Sequence, residues 1–257
     1  MTERSDPLRA RLLRAETVVG TMAFEFFTPG LVPVLQAAGC AYVILDMEHS
    51  AVSIETIKQQ IAAARGLNIE PWVRIGQKNY ATVAGVLDAG AKGIMAPMVE
   101  TVSEAEDLVA WARYRPEGRR GLAFGVGHDA YRGDDSIVRM QQSNAETVMI
   151  ALLESERGIE NADAILATPG MDVGWLGHFD LTNDLGITAD FTHPRFLSAV
   201  DQLVAAGKMS GKALGFADGS VERVRAFASK GFNVLGYAND VAALRTEIAR
   251  GLAQITE

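Results

Sequence analysis

Residues 149–184 read MIALLESERGIENADAILATPGMDVGWLGHFDLTND. An apolar, strand-like run leads into Glu154, and a second run ends in the acid Asp180. Between them, Gly158–Thr168 has the spacing of a helix. A strand, a helix and a strand of this length make a parallel βαβ unit, whose two strands end on one rim. Glu154 and Asp180 are therefore expected on the same rim. Two carboxylates with room beside them suit a hard divalent cation that keeps positions for water and substrate. Spacing alone serves equally well for two rim acids held in salt bridges.

The same alternation extends in both directions. Strand-like runs are expected at Val18–Phe26, Tyr42–Met47, Trp72–Ile75, Gly93–Val99, Val148–Leu153, Val173–Leu176, Lys212–Ala217 and Asn233–Tyr237. Helical spacing falls between them at Leu31–Ala38, Ser53–Arg65, Tyr80–Asp88, Ser103–Tyr114, Pro194–Ala206, Val221–Ser229 and Val241–Ile255. Strands apolar on both faces favour a parallel sheet, and eight such units in 257 residues fit one (β/α)8 TIM barrel. No Gly/Ser linker divides the chain, so residues 1–257 are expected to form a single domain. An open Rossmann-like sheet is the rival, weakened by the lack of G-x-G-x-x-G after the first strand. Residues 1–16 look like a polar extension. Residues 115–144 break the rhythm as a long loop, expected at the active site or at an interface.

Composition narrows the function classes. With 48% hydrophobic residues and a net charge of −8, the chain suits a cytoplasmic enzyme, and partners such as nucleic acid or an anionic membrane are not expected. A lone cysteine, Cys40, allows neither an internal disulfide nor a thiolate cluster. The N-terminus lacks an apolar signal-peptide core, and no run of about 18 apolar residues suggests a membrane span.

In a barrel of this kind the active site gathers at the C-terminal strand ends. Those ends present Asp46, Glu48, His49, Arg74, Glu100, Glu154, Asp180, Asp218 and Asp240. His49 is the candidate general base, because an imidazole titrates near neutrality and Asp46 or Glu48 could orient it. A hydrogen-bonded histidine at a helix start is the plainer reading. Arg74 could hold a carboxylate or an oxyanion, or simply pair with the acids around it. His178 lies two residues before Asp180 and so edges the site. Schiff-base chemistry needs a lysine facing the site. Lys92, Lys212 and Lys230 precede strands, and Lys78 has the right polarity but sits in a loop.

Taken in order, LDMEHS (45–50), VRIG (73–76), LDAGAKGIMAPMVET (87–101), RRG (119–121), ALLES (151–155) and GHFDLTNDLG (177–186) resemble the HpcH/HpaI aldolase family, metal-dependent class II pyruvate aldolases. The resemblance runs from about residue 17 to 250. It implies a (β/α)8 barrel whose last helix is exchanged between subunits, assembled as a hexamer built from dimers. It also implies reversible retro-aldol cleavage of a 4-hydroxy-2-oxo acid to pyruvate and an aldehyde, through an enolate held on the metal. By the same resemblance, Glu154 and Asp180 bind Mg²⁺, Mn²⁺ or Co²⁺, and Arg74 stabilises the enolate oxygen. The backbone at Gly177, His178 and Phe179 holds the pyruvate carboxylate. His49 moves the proton, supported by Asp46 and by Asp88 from a neighbouring subunit. Three positions depart from the usual pattern: His178 where many members have Pro, Leu152 where many have Gln, and Ile75-Gly76 after the VR pair. Other enolate chemistry on the same site, such as oxaloacetate decarboxylation or citrate-lyase-like cleavage of a thioester, is the nearest alternative. A non-catalytic metabolite-binding barrel is a further one.

Overall fold

A computed structural model describes residues 6–256. Eight parallel strands close into a barrel in chain order, β8 pairing back onto β1. The strands are β1 (Val18–Ala23), β2 (Tyr42–Asp46), β3 (Glu70–Arg74), β4 (Gly93–Ala96), β5 (Val148–Leu153), β6 (Val173–Leu176), β7 (Ala213–Asp218) and β8 (Val234–Asn239). Around them run α1 (Leu8–Leu13), α2 (Leu31–Ala37), α3 (Ile54–Ala63), α4 (Tyr80–Ala89), α5 (Val102–Ala112), α6 (Ser136–Glu146), α7 (Glu156–Glu160), α8 (Ala162–Ala167), α9 (His178–Asp184), α10 (Pro194–Ser210), α11 (Val221–Ser229) and α12 (Asp240–Thr256). The (β/α)8 barrel expected from the sequence is the fold observed.

Two apolar layers hold it together. Inside the barrel, Tyr42 stacks on Trp72 with ring centroids 4.3 Å apart, and Trp175 meets Tyr42 edge-on. This aromatic plug needs three glycines. A Cβ at Gly93 would fall 2.7 Å from the Trp72 ring, one at Gly20 2.7 Å from the Tyr42 ring, and one at Gly215 2.1 Å from the Trp175 ring. Outside the strands a second, larger cluster packs them against the helices. The plug fills the barrel's middle and leaves its C-terminal rim for chemistry.

Local chemistry sets the helix starts. Ser53, Asn79, Thr101, Ser155 and Ser220 each cap a helix through a side-chain oxygen, and Thr101 with Glu104 forms a full capping box.

Several sequence expectations change. Residues 6–16, expected as part of a polar extension, contain the short helix α1. Leu8 and Leu12 of α1 join the inner cluster, and the Leu8 N–H donates to Glu70 Oε1 at 2.8 Å, so α1 closes the barrel's N-terminal end. The rest of that extension, residues 1–5, lies outside the described residues. Within 115–144, residues 136–144 form most of α6, started by Asp135, which accepts from the Ile137 and Val138 N–H groups. The remaining segment runs along α4, with the Gly121 N–H on the Tyr80 hydroxyl and Gly127 against Asp88 and Ala89. The stretch 158–168 breaks at Asn161 into α7 and α8.

Candidate active site

β2 ends in Asp46, a fully buried carboxylate. Four donors reach it: the backbone N–H of Glu48 and of His49, each at 3.0 Å, and Arg74 through Nε (2.7 Å) and Nη2 (2.9 Å). The two backbone bonds fold 46–50 into a tight turn, closed by the Ser50 hydroxyl on the Asp46 carbonyl. Asp46 thus positions His49 through the main chain and does not touch its imidazole, contrary to the support expected from the sequence. The nearer carboxylate is Glu48, whose Oε2 lies 3.7 Å from His49 Nε2 and 3.3 Å from Arg74 Nη1. Burial pushes the Glu48 carboxyl up, against the pull of Arg74. The His49 side chain is 57% exposed at the mouth of the site.

β5 delivers Glu154, only 4% exposed. Its Oε1 accepts the Met98 N–H at 2.8 Å. Its Oε2 lies over Gly177, where a Cβ would come within 2.5 Å of both Oε2 and the Glu154 Cβ. Only glycine at 177 leaves the carboxylate its place. Burial pushes the Glu154 carboxyl up to about 7; the Met98 N–H pulls it down, while the charges of Glu48 and Asp180 add to the rise. The position of Oε2 over Gly177 sets Glu154 against the start of α9, which carries Asp180.

Asp180 sits in the first turn of α9, two residues inside the helix and not at a strand end. Its side chain is exposed toward the rim. The sequence reading missed α9. Gly177 before an acid-containing polar stretch was the available signal, since glycine commonly marks a strand-to-helix junction.

Three other rim acids are occupied. Glu100 accepts from the Ser155 hydroxyl, Asp218 pairs with Arg223, and Asp240 accepts three N–H groups from residues 24–26. Asp88 lies in the last turn of α4, at the opposite end of the barrel, bound to Arg120 at 2.6 Å. Within one chain it does not meet His49. The His178 ring turns away from the site into an aromatic cluster with Phe179, Phe191 and Phe216. Burial drives it down to about 4, with Asp218, 3.5 Å from Nε2, opposing. Leu152, 2% exposed, forms an apolar wall near Gly177.

Lys78, the lysine whose loop follows β3, has its ammonium engaged by the Met98 carbonyl and by Glu104 Oε1. Among the described residues, no three His, Cys, Asp or Glu side chains form a ready-made metal cage. A cation would have to share Glu154 and Asp180 with water or substrate. The donor set fits that: two hard oxygen ligands, one of them buried with a free oxygen, in a pocket of excess negative charge. A cavity of about 870 Å³ opens at the N-terminal end near Glu70 and Lys92, away from this chemistry.

The chain has known relatives. The chain is 33% identical over 240 residues to the hydroxypyruvate/pyruvate aldolase of Chromohalobacter salexigens, covering 93% of both. It is 31% identical to the 2-keto-3-deoxy-L-rhamnonate aldolase of Klebsiella pneumoniae, across 82% of this chain and 79% of that one. The crystal structure of an HpcH/HpaI aldolase from Desulfitobacterium hafniense superposes with a TM-score of 0.93 at 31% identity, covering 98% of each chain. Because the profile of the HpcH/HpaI aldolase/citrate lyase family matches residues 25–246, the chain belongs to that family of carbon–carbon lyases.

Proposed function

We propose that this chain is a divalent-metal-dependent aldolase that cleaves a 4-hydroxy-2-oxo acid to pyruvate and an aldehyde, and runs the reverse addition. One observation carries the reading: the buried Glu154 sets Oε2 over Gly177, at the start of the helix that bears Asp180, on the rim where Arg74 ends β3. Similarity to aldolases that act on 2-oxo acids supports it.

Glu154 and Asp180 would hold Mg²⁺, Mn²⁺ or Co²⁺. When bound, the cation supplies Lewis acidity to the keto and carboxylate oxygens of the 2-oxo acid. Arg74 is anchored on Asp46 through Nε and Nη2, and Nη1, 3.3 Å from Glu48 Oε2, offers charge to the oxygen that turns negative as the C3–C4 bond breaks. The first-turn N–H groups of α9, at His178 and Phe179 after Gly177, bind the carboxylate. His49 takes the proton of the 4-hydroxyl group during cleavage and returns one to C3 afterwards, and Glu48 orients its ring. Asp88 joins this dyad only from a neighbouring subunit. No helix among the described residues is long and apolar enough to cross a membrane, and the proposed enzyme is cytoplasmic.

Assembly enters the same reading. α12 buries only Asp240 and shows Val241, Leu244, Ile248, Leu252 and Ile255 along its length. A second copy of this chain covers that stripe, within a hexamer built from dimers.

Exchange of the pyruvate methyl protons with deuterium, followed by NMR, tests the chemistry. Exchange that needs Mn²⁺ or Mg²⁺ and stops with chelator is the expected result. Folded, metal-loaded protein that exchanges nothing would refute an enolate-forming site.

A further inference from the structure

Glu154 depends on a single peptide N–H, that of Met98, and Met98 is held in an uncommon backbone state. Its φ is +48°, in the left-handed region that residues with a Cβ rarely adopt. The loop from Pro97 to Thr101 must therefore be fixed by its surroundings. Its far end is fixed by Glu104, whose Oε2 accepts the N–H groups of Glu100 (2.8 Å) and Thr101 (3.1 Å). Val99 is tied to β5 by its N–H on the Leu152 carbonyl at 3.1 Å. Met98 itself has one further anchor. The Lys78 ammonium, reaching across from the turn before α4, donates both to the Met98 carbonyl and to Glu104 Oε1. Among the described residues it is the only donor to that carbonyl.

We infer that Lys78 is a positioning residue for the metal site: by clamping the Met98 carbonyl against the capping carboxylate of α5, it keeps the Met98 N–H aimed at Glu154. The inference rests on the proposed metal role of Glu154, and it gives Lys78 a task that its loop position does not suggest. The geometry is a relay of three contacts. Glu104 is fixed by the helix start it caps; Lys78 spans from Glu104 to the Met98 carbonyl; the Met98 N–H meets Glu154 Oε1. Without the ammonium, Met98 is free to leave the left-handed region. Its N–H then turns away from Glu154, and the free oxygen over Gly177 loses its fixed direction. Lysine suits the span because one ammonium carries several donors on a long stem, enough for a carbonyl and a carboxylate together.

A plain surface ion pair between Lys78 and Glu104 is the competing account, and it predicts only a small change in thermal stability. The experiment compares wild type, Lys78→Met, Lys78→Arg and the control Arg119→Met, which removes an unrelated exposed pair with Asp107 beside α5. Mn²⁺ affinity is read by titration of metal-free protein. Hydrogen exchange of the peptide covering Met98 is followed by mass spectrometry on the same metal-free samples.

Expected for Lys78→Met are faster exchange in that peptide and about tenfold or more weaker Mn²⁺ affinity, the range seen when an outer-shell contact to a ligand is lost. Lys78→Arg regains part of both, and the control matches wild type. Wild-type Mn²⁺ affinity and unchanged exchange in a folded Lys78→Met protein would overturn the inference and leave the metal reading intact. Failure of wild type itself to bind Mn²⁺ would overturn the metal reading, and the positioning role with it.

Discussion

Arg74 and Asp46 form a two-point pair at adjacent strand ends, Nε to Oδ1 at 2.7 Å and Nη2 to Oδ2 at 2.9 Å, with the carboxylate fully buried and the guanidinium nearly so. Asp46 and Arg74 face each other in the β2–β3 register, so the sheet itself sets the pairing. A buried bidentate pair fixes the direction of the third nitrogen, Nη1, which lies 3.3 Å from Glu48 Oε2. Lysine at 74 has one ammonium and cannot serve both Asp46 oxygens while facing the substrate. Arg74→Lys should therefore stay folded and lose roughly 100-fold or more in kcat. Arg74→Ala leaves Asp46 buried and unpaired and should cost about 3–5 kcal/mol of stability. Steady-state rates and denaturant melts of both variants check this; an Arg74→Lys enzyme with wild-type kcat would contradict the assigned role.

Glu154 makes metal binding pH-dependent. Burial lifts its carboxyl to about 7 in the metal-free chain, so a cation competes with a proton below that value. Mn²⁺ affinity should drop about tenfold per pH unit as pH falls from 7 toward 5. The stability sign runs the other way. Between the ordinary value of 4.5 and 7, the folded chain holds a proton that the unfolded chain has released. Metal-free protein is therefore more stable at pH 5 than at pH 8, by on the order of 3 kcal/mol from this group. Glu154→Gln should flatten that slope and abolish Mn²⁺ binding. Melting temperatures of both proteins at the two pH values decide the matter.

Much of this is legible in the sequence. Apolar runs alternating with helical spacing imply the barrel, because each period reports which faces are buried. Glu154, Asp46 and Arg74 were legible because strand ends in such a barrel meet on one rim. What escaped depended on contacts between distant segments. Asp46 binding the His49 backbone is a matter of turn geometry, and the Met98 N–H on Glu154 joins residues 56 apart in sequence. The short α9 was hidden because seven residues carry too little periodicity to declare a helix. α1 looked polar because only Leu8 and Leu12 of its six residues face the barrel's interior.

His178 supplies a second pH effect, of opposite sign. Burial among aromatic rings lowers it to about 4, while the unfolded residue protonates near 6.5. Between those values the unfolded chain binds a proton that the folded ring refuses. Stability is therefore lost as pH falls from 6.5 toward 4, by up to about 3 kcal/mol. Phenylalanine at 178 keeps the packing against Phe179, Phe191 and Phe216 without the titration. His178→Phe should gain on wild type in thermal melts at pH 4.5 relative to pH 7. An equal difference at both pH values would mean that the ring stays accessible to protons.

The apolar stripe of α12 makes the last prediction. Val241, Leu244, Ile248, Leu252 and Ile255 recur every three or four residues and are 38–81% exposed in the single chain. This is the spacing of one continuous helix face. The helix touches the barrel near its start, at β1 and β8, so little within the chain covers the rest. Burying such side chains is worth about 1.5–3 kcal/mol each, enough for four or five of them to hold two copies together. The double variant Leu244→Glu, Ile248→Glu places charge in the middle of the stripe. Light scattering on a sizing column should show wild type as an oligomer and the variant as a smaller species, with far-ultraviolet circular dichroism unchanged. Because Asp88 can reach His49 only from another subunit, kcat should fall with the mass if that contact forms across the same assembly. A variant that keeps its mass would remove the helix-mediated assembly, and a monomeric wild type would remove the part assigned to Asp88 as well.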